Sequence, residues 1–263
     1  MWRVKMERIG ERLRNSTPPA SVFIIFIVVW EVLVRALNIP RFLLPPPTAI
    51  LNAFFDTSTV IFESAFYTLR SALIGFAVGC GAGIMVAFAT ARWVTIREGV
   101  MPLAIAVNSV PIIAFAPLMN SWFGSTNPLS KVAIVALITF FPTMINTVRG
   151  LTLVEPAKIE LLRSYATSQL EVLLKARVPN ALPYMFNAFK VCSTLSLIGA
   201  IVSEYFGGPR QSLGVYILQE AQLFRFTNAW AAIAVAALQG MGFYLIILLI
   251  ERRLIPWHVS LER

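Results

Sequence analysis

Residues 160–179 read ELLRSYATSQLEVLLKARVP, a charged, helix-prone stretch in a chain that is otherwise mostly apolar. A simple turn between two apolar runs takes only a handful of residues, so a long amphipathic segment here has another purpose. Pro156 suits the first turn of a helix, where its missing N–H costs nothing. On a helix, Leu162, Ala166, Leu170 and Leu173 fall on one side, and Arg163, Thr167, Glu171 and Lys175 on the other. Glu171 and Lys175 stand four apart in the favourable order for an ion pair. Pro179 and Pro183 close the segment. Its apolar face must be buried on something, either the bilayer surface or a groove on a soluble partner.

The rest of the chain says what surrounds that segment. Of 263 residues, 57% are hydrophobic and 13% charged, with a mean hydropathy of +0.74. Soluble domains carry about a quarter charged residues, so half that share points to lipid as the solvent. Six runs are long enough to cross a hydrocarbon core, at about 20–37, 66–91, 100–121, 131–149, 184–206 and 229–251. The fold class is an all-α polytopic membrane protein with six transmembrane helices. The first run follows a basic start, as in a signal peptide, but is too long and lacks a small-x-small cleavage site, so it reads as a retained span.

Net charge is +9. Fifteen of the 22 Lys and Arg residues fall on one side of this topology and five on the other, with Arg35 and Lys190 inside spans. By the positive-inside rule both termini and the 155–180 segment are cytoplasmic. The basic charge is thereby accounted for without nucleic acid. Residues 1–19 read as an interfacial amphipathic segment, with Trp2, Met6, Ile9 and Leu13 on one face. Residues 20–258 form the membrane domain and 259–263 a short tail. The two cysteines, Cys80 and Cys192, lie in apolar runs and read as small buried hydrophobes, and a single histidine, His258, excludes a histidine-rich metal site.

Within the spans, Gly75, Gly79 and Gly83 recur every four residues and let another helix approach closely, either within the chain or at a dimer seam. Pro111 and Pro117 predict a bent or broken third span, lining a pathway or kinked within the bundle. Glu31 and Arg35 are spaced for a mutual ion pair, and Lys190 is placed to snorkel to an interface. Glu204, followed by Tyr205 and Phe206, lies at the outer end of the fifth span, facing a pathway, a docked protein or the interface. Trp122, Phe123, Tyr205, Phe206, Tyr216, Phe224, Phe226 and Trp230 make the outer side aromatic, as an interfacial belt or as guides for a planar solute.

Glu160, Ala166 six residues later, and Ala176-x-Val178-Pro179 resemble the EAA loop of importer-type ABC permeases, E-A-A-x-x-x-G followed after nine residues by I-x-L-P. WEVLVRALNIPRFLLPPPTAI (30–50), NSVPIIAFAPLMNSWFG (108–124), ALPYMFNAFK (181–190) and IGAIVSEYFGG (198–208) are similar to its nitrate/sulfonate/taurine-type branch. The resemblance covers roughly residues 29–257. It implies a type I importer permease whose 155–180 loop forms coupling helices docked on a cytoplasmic ATPase. Glu160, Leu161, Leu162, Arg163, Tyr165, Ala166, Leu173 and Pro179 are the implied docking residues. Leu161 and Leu162 replace the two family alanines, and Ala166 replaces the glycine; if the chain needs positive φ there, alanine costs on the order of 1 kcal/mol.

The resemblance further implies a second, identical permease subunit, two ATPase subunits carrying ATP and Mg, and a soluble substrate-binding protein. The cargo would be a small polar or anionic solute, nitrate, sulfonate or taurine-like, or a pyrimidine or vitamin precursor. No G-x-x-x-x-G-K-[ST] loop occurs, so this chain is expected to bind no cofactor and to catalyse nothing itself. The competing reading is an ion-gradient-driven secondary transporter or channel, which should carry carboxylates near the midplane of its spans.

Overall fold

The computed structural model describes residues 21–257; the expectations for 1–19 and 259–263 lie outside them. Every regular element among the described residues is helical. A helix over residues 21–36, α1, leads into α2 (Pro47–Arg92), α3 (Val94–Asn108) and a 3₁₀ turn (Ile112–Phe115). Next come α4 (Ala116–Phe123), α5 (Pro128–Thr152), α6 (Pro156–Ser164), α7 (Gln169–Val172) and a π-helical turn (Leu173–Arg177). The chain closes with α8 (Val178–Tyr205), α9 (Leu213–Gln222) and α10 (Phe226–Leu254).

By length and composition α2, α5, Gln169–Tyr205 and α10 can each cross a bilayer. The third expected span is two helical pieces, Thr95–Asn108 and Ile112–Phe123, set at 78° to each other. The break has a local cause. Pro111, at ψ 83°, cannot continue α3, and Pro117 restarts the chain at the first turn of α4. The second helix starts at Pro47, far ahead of residue 66, and its 46 residues span about 69 Å. Asp56 and Glu63 dilute the hydropathy there without interrupting the helix, whose Ala53, Ile61 and Ala65 pack against Leu213, Ile217 and Ala232.

Helices α2, α5 and α8 form the centre. Gly75, Gly79 and Gly83 face α5, and the contact lies within the chain. A Cβ at Gly75 would stand 2.5 Å from Val135 Cβ, one at Gly83 2.7 Å from the Phe140 carbonyl, and one at Gly79 would overlap Thr139 and Ala136. Backbones this close gain dispersion contact in an environment that offers no hydrophobic drive between helices. Thr143 on α5 donates to Cys80 Sγ (3.2 Å) and lies 3.5 Å from Cys192 Sγ, joining α2, α5 and α8 around two free thiols.

Candidate functional site: the 155–180 loop and the far end of the bundle

The loop is two short helices and a tight turn, and the break rotates its faces. Pro156 sits in the first turn of α6. At the other end of α6 the Ala166 N–H donates to the Arg163 carbonyl (2.9 Å) and the Thr167 N–H to the Leu162 carbonyl (3.4 Å). This is a Schellman closure, which requires a left-handed residue and usually takes glycine. Ala166 occupies that place at φ 54°. The Thr167 hydroxyl adds a bond to the Leu162 carbonyl (2.7 Å).

The turn feeds directly into α7. Ser168 accepts from the Glu171 N–H (3.3 Å) while the Glu171 carboxylate accepts from the Ser168 N–H (2.8 Å), a reciprocal capping box. Glu171 also pairs with Lys175 at 3.2 Å. The Ser168 backbone N–H first, then Lys175, hold the Glu171 carboxyl below the usual carboxylate range. Beyond the π turn, Asn180 Nδ2 donates to the carbonyls of Gly150 (2.8 Å) and Leu153 (3.2 Å), tying the start of α8 to the end of α5.

On this frame Glu160, Leu161, Arg163, Tyr165 and Ala166 are exposed, whereas Leu162, Leu173 and Pro179 are half-buried. Leu173 packs towards Ala91, Leu151 and Ala181, so it anchors the loop to the bundle rather than presenting itself outward. Leu170, expected on the same side as Leu173, is 62% exposed. The positive-φ turn at Ala166 separates Leu162 from Leu170 and Leu173, which border one cleft with Phe88 and Ala91, Leu173 the deeper of the two. Leu161, Tyr165, Leu170 and Leu174 together give the loop an outward apolar surface on a rigid backbone. Pro183, expected to end the segment, lies inside α8.

At the other end of α8, about 40 Å away by helical rise, Glu204 is not on a surface. It is fully buried. Its carboxylate accepts from the Thr68 hydroxyl (2.9 and 3.0 Å) and the Gly214 N–H (2.8 Å), while Thr68 accepts from the Leu213 N–H (2.9 Å). A carboxylate thus closes the N-terminus of α9, where unpaired N–H groups and the helix dipole favour negative charge. Gly214 permits this approach, since a Cβ there would stand 2.5 Å from the Ile201 carbonyl and 2.8 Å from Glu204 Cβ.

Lys131, the first residue of the expected fourth span, is also fully buried. It donates to Asn120 Oδ1 (2.8 Å), the Ser125 carbonyl (2.5 Å) and Ser130 Oγ (2.9 Å), and Asn120 Nδ2 donates to the Phe206 carbonyl (3.1 Å). Its signal in the sequence was a lysine at the first turn of an apolar run, beside Asn120 and a Gly-Ser-Thr-Asn turn. Tyr205 and Phe206 keep exposed side chains, as do Pro111 and Pro117. Tyr216, on α9, is a core residue and not part of an interfacial belt. Lys190 does not snorkel: it pairs with Glu251 of α10 at 2.9 Å, largely shielded. Glu31 and Arg35 pair, and Glu31 also accepts from the Thr48 N–H (3.0 Å) in the first turn of α2. Among the described residues no group of three or more His, Cys, Asp or Glu is arranged to hold a metal ion.

These features coincide with a known transport family. Residues 79–257 match the family of the binding-protein-dependent transport system inner membrane component. The chain is 30% identical over 252 residues to the formylaminopyrimidine transport permease protein ThiX of Halalkalibacterium halodurans, covering 94% of this chain and 98% of the relative. It is also 30% identical over 238 residues to the riboflavin transport system permease protein RibX of Chloroflexus aurantiacus, covering 90% and 88%. In fold it is similar to the crystal structure of an amino acid ABC transporter with histidines, with a TM-score of 0.62 at 16% identity, over 76% of this chain and 97% of that one. The ion-coupled reading is set aside on this match. The chain belongs to the binding-protein-dependent permease family and is a non-catalytic, multi-pass membrane subunit of an ABC importer, which works with separate ATPase subunits and a substrate-binding protein.

Proposed function

We propose that two copies of this chain form the translocation pathway and that the 155–180 loop of each seats on one of two cytoplasmic ATPase subunits. The observation that carries this reading is the outward apolar surface of the loop, with Leu161 58%, Tyr165 74% and Leu170 62% exposed on a backbone capped at both breaks. Apolar side chains held rigid and wet are what a partner's groove rewards, because little conformational entropy is left to lose on docking. Glu160 and Arg163 add charges at the rim of that surface, where they select the partner and its register.

ATP and Mg are bound by the ATPase subunits, and their closure is transmitted through α6 and α7 to α5 and α8, the helices that flank the loop and that Asn180 ties together. The excess of Lys and Arg on the loop side supports a cytoplasmic loop and cytoplasmic termini in a bacterial inner membrane. The soluble binding protein then meets the opposite end, near the exposed Tyr205 and Phe206.

The cargo is a small planar nitrogen heterocycle, of the pyrimidine or vitamin-precursor kind. The names of the two relatives at 30% identity support this, and so do the aromatic side chains Phe115, Trp122 and Phe206, exposed at or near the broken third span. The deciding experiment is reconstitution of the permease with its ATPase and binding protein in proteoliposomes, scored for uptake of a labelled aminopyrimidine. Glu160→Lys should abolish uptake while leaving the folded permease intact. Wild-type uptake of taurine or nitrate but not of the pyrimidine would overturn the cargo assignment, and full uptake by Glu160→Lys would overturn the role given to Glu160.

A further inference from the structure

Two cavities meet at the joint between α1 and α2. The larger, about 800 Å³, is polar and is lined by Arg35, Asn38, Arg41, Asn52, Asp56 and Asn228. The smaller, about 480 Å³, is an apolar groove between α1, α2 and α10, walled by Ile27, Trp30, Phe54, Trp230, Ala234 and Leu238. Pro46 and Ala49 border the first, and Pro47 and Ile50 the second, so they adjoin at the first turn of α2.

A groove of this kind beside a membrane-spanning helix fills with hydrocarbon, but hydrocarbon alone does not account for the charged cavity joined to it. Arg41 is exposed and makes no ion pair among the described residues, and Arg35 stays 65% exposed although it contacts Glu31. Asp56, across the same cavity, is likewise exposed and outside those pairs. Glu31 answers Arg35, so Arg41 and Asp56 are left as one unpaired charge of each sign, and these match a zwitterion, with a phosphate on Arg41 beside the exposed Arg35 and an ammonium on the aspartate. In the wall of the groove lies Trp30, whose indole N–H has no acceptor. It stands five residues before Arg35, about 7.5 Å of helical rise, on the groove side of the arginine. That is the depth at which an ester carbonyl would follow a phosphate held there, and a small turn of the indole presents the N–H to it.

We propose that this pair of cavities is a phospholipid site: the phosphate binds Arg35 and Arg41, the headgroup amine faces Asp56, and one acyl chain lies in the groove between Trp30, Phe54 and Trp230. A bound lipid then cements α1, whose apolar side chains are widely exposed, to α2 and α10.

The test is native mass spectrometry of the gently solubilised complex, titrated with phosphatidylethanolamine. The wild type should retain the lipid through activation. Arg41→Ala, at an exposed position that leaves the fold undisturbed, should lower retention about tenfold. Ala234→Trp, which fills the groove, should lower it as much, and Trp30→Phe, which keeps a ring and loses the donor, should lower it by about twofold. Asp56→Asn should erase a wild-type preference for phosphatidylethanolamine over phosphatidylglycerol. Equal retention by wild type, Arg41→Ala and Ala234→Trp would overturn the site. Release of single permease chains by Ala234→Trp, with lipid retention unchanged in Arg41→Ala, would overturn it in favour of a second copy occupying the groove.

Discussion

At the Glu204 end of the bundle, charged groups are sealed inside: Glu204 and Lys131 have no exposed surface, and all their bonds but the one from Lys131 to Ser130 reach beyond their own helix. At the loop end the arrangement is inverted. Apolar side chains such as Tyr165 and Leu170 stand in solvent, and the polar bonds that hold them, the Ala166 closure and the Ser168–Glu171 box, join residues a few positions apart. The contrast separates two tasks. Long-range buried polar bonds fix how α2, α8 and α9 stand relative to each other, since a misplaced partner would leave a charge unpaired at low dielectric. Local caps stiffen a small element without committing it to the bundle, which leaves its surface free for another protein.

Substitutions can break this contrast from either side. The largest effect is expected from Glu204→Ala, which strands the Thr68 hydroxyl and the Gly214 N–H in the interior and should cost about 3–5 kcal/mol, as loss of one partner of a buried charged network does. Thermal unfolding in detergent would read this as a markedly lower Tm, with transport lost through the fold. Tyr165→Ala should do the reverse, leaving the Tm of the permease unchanged and weakening ATPase capture by about 2 kcal/mol, the size of an interface anchor. Titrated co-purification with the ATPase would measure it.

Smaller effects sharpen the loop's internal construction. Ser168→Ala removes one half of the capping box and should destabilise the loop by about 1 kcal/mol, seen as faster amide exchange over α7 with little change in the core. Ala166→Gly should stabilise it by about 1 kcal/mol, because glycine adopts the left-handed turn without the Cβ clash. Amide exchange over α6 should slow while transport is retained. The smallest effect is a pH dependence. Glu171 titrates lower in the fold than its ordinary value of 4.5, so its contribution is complete above that value and fades as pH falls through the depressed one. Protection of the loop amides, taken relative to their intrinsic exchange rate at each pH, should therefore fall below pH 4.5 in the wild type, and less so in Ser168→Ala.

Much of the fold was legible because hydropathy and proline placement act locally. Pro111 and Pro117 announce a broken span, and the Glu31–Arg35 and Glu171–Lys175 pairs follow from helical spacing alone. The four-residue spacing of Gly75, Gly79 and Gly83 is visible in the sequence, but the helix it receives is not. What stayed hidden depended on partners distant in sequence. Lys131 looks like a flanking charge until Asn120 and the Ser125 carbonyl arrive around it, and Lys190 looks like a snorkelling lysine until α10 brings Glu251. Glu204 looked like a surface carboxylate because the N-terminus of α9 that it closes comes after a turn whose path no periodicity records. Leu162 and Leu170 do not share one continuous helical face for a local reason, the positive-φ residue at Ala166, which a glycine would signal.

The central claim is that the exposed loop seats on an ATPase, and site-specific labelling tests it most directly. A Leu161→Cys permease should react readily with a water-soluble maleimide when alone and be protected once the ATPase is bound, while a Trp122→Cys control reacts to the same extent in both states. Equal labelling of Leu161→Cys with and without bound ATPase would contradict the account and place the docking surface elsewhere.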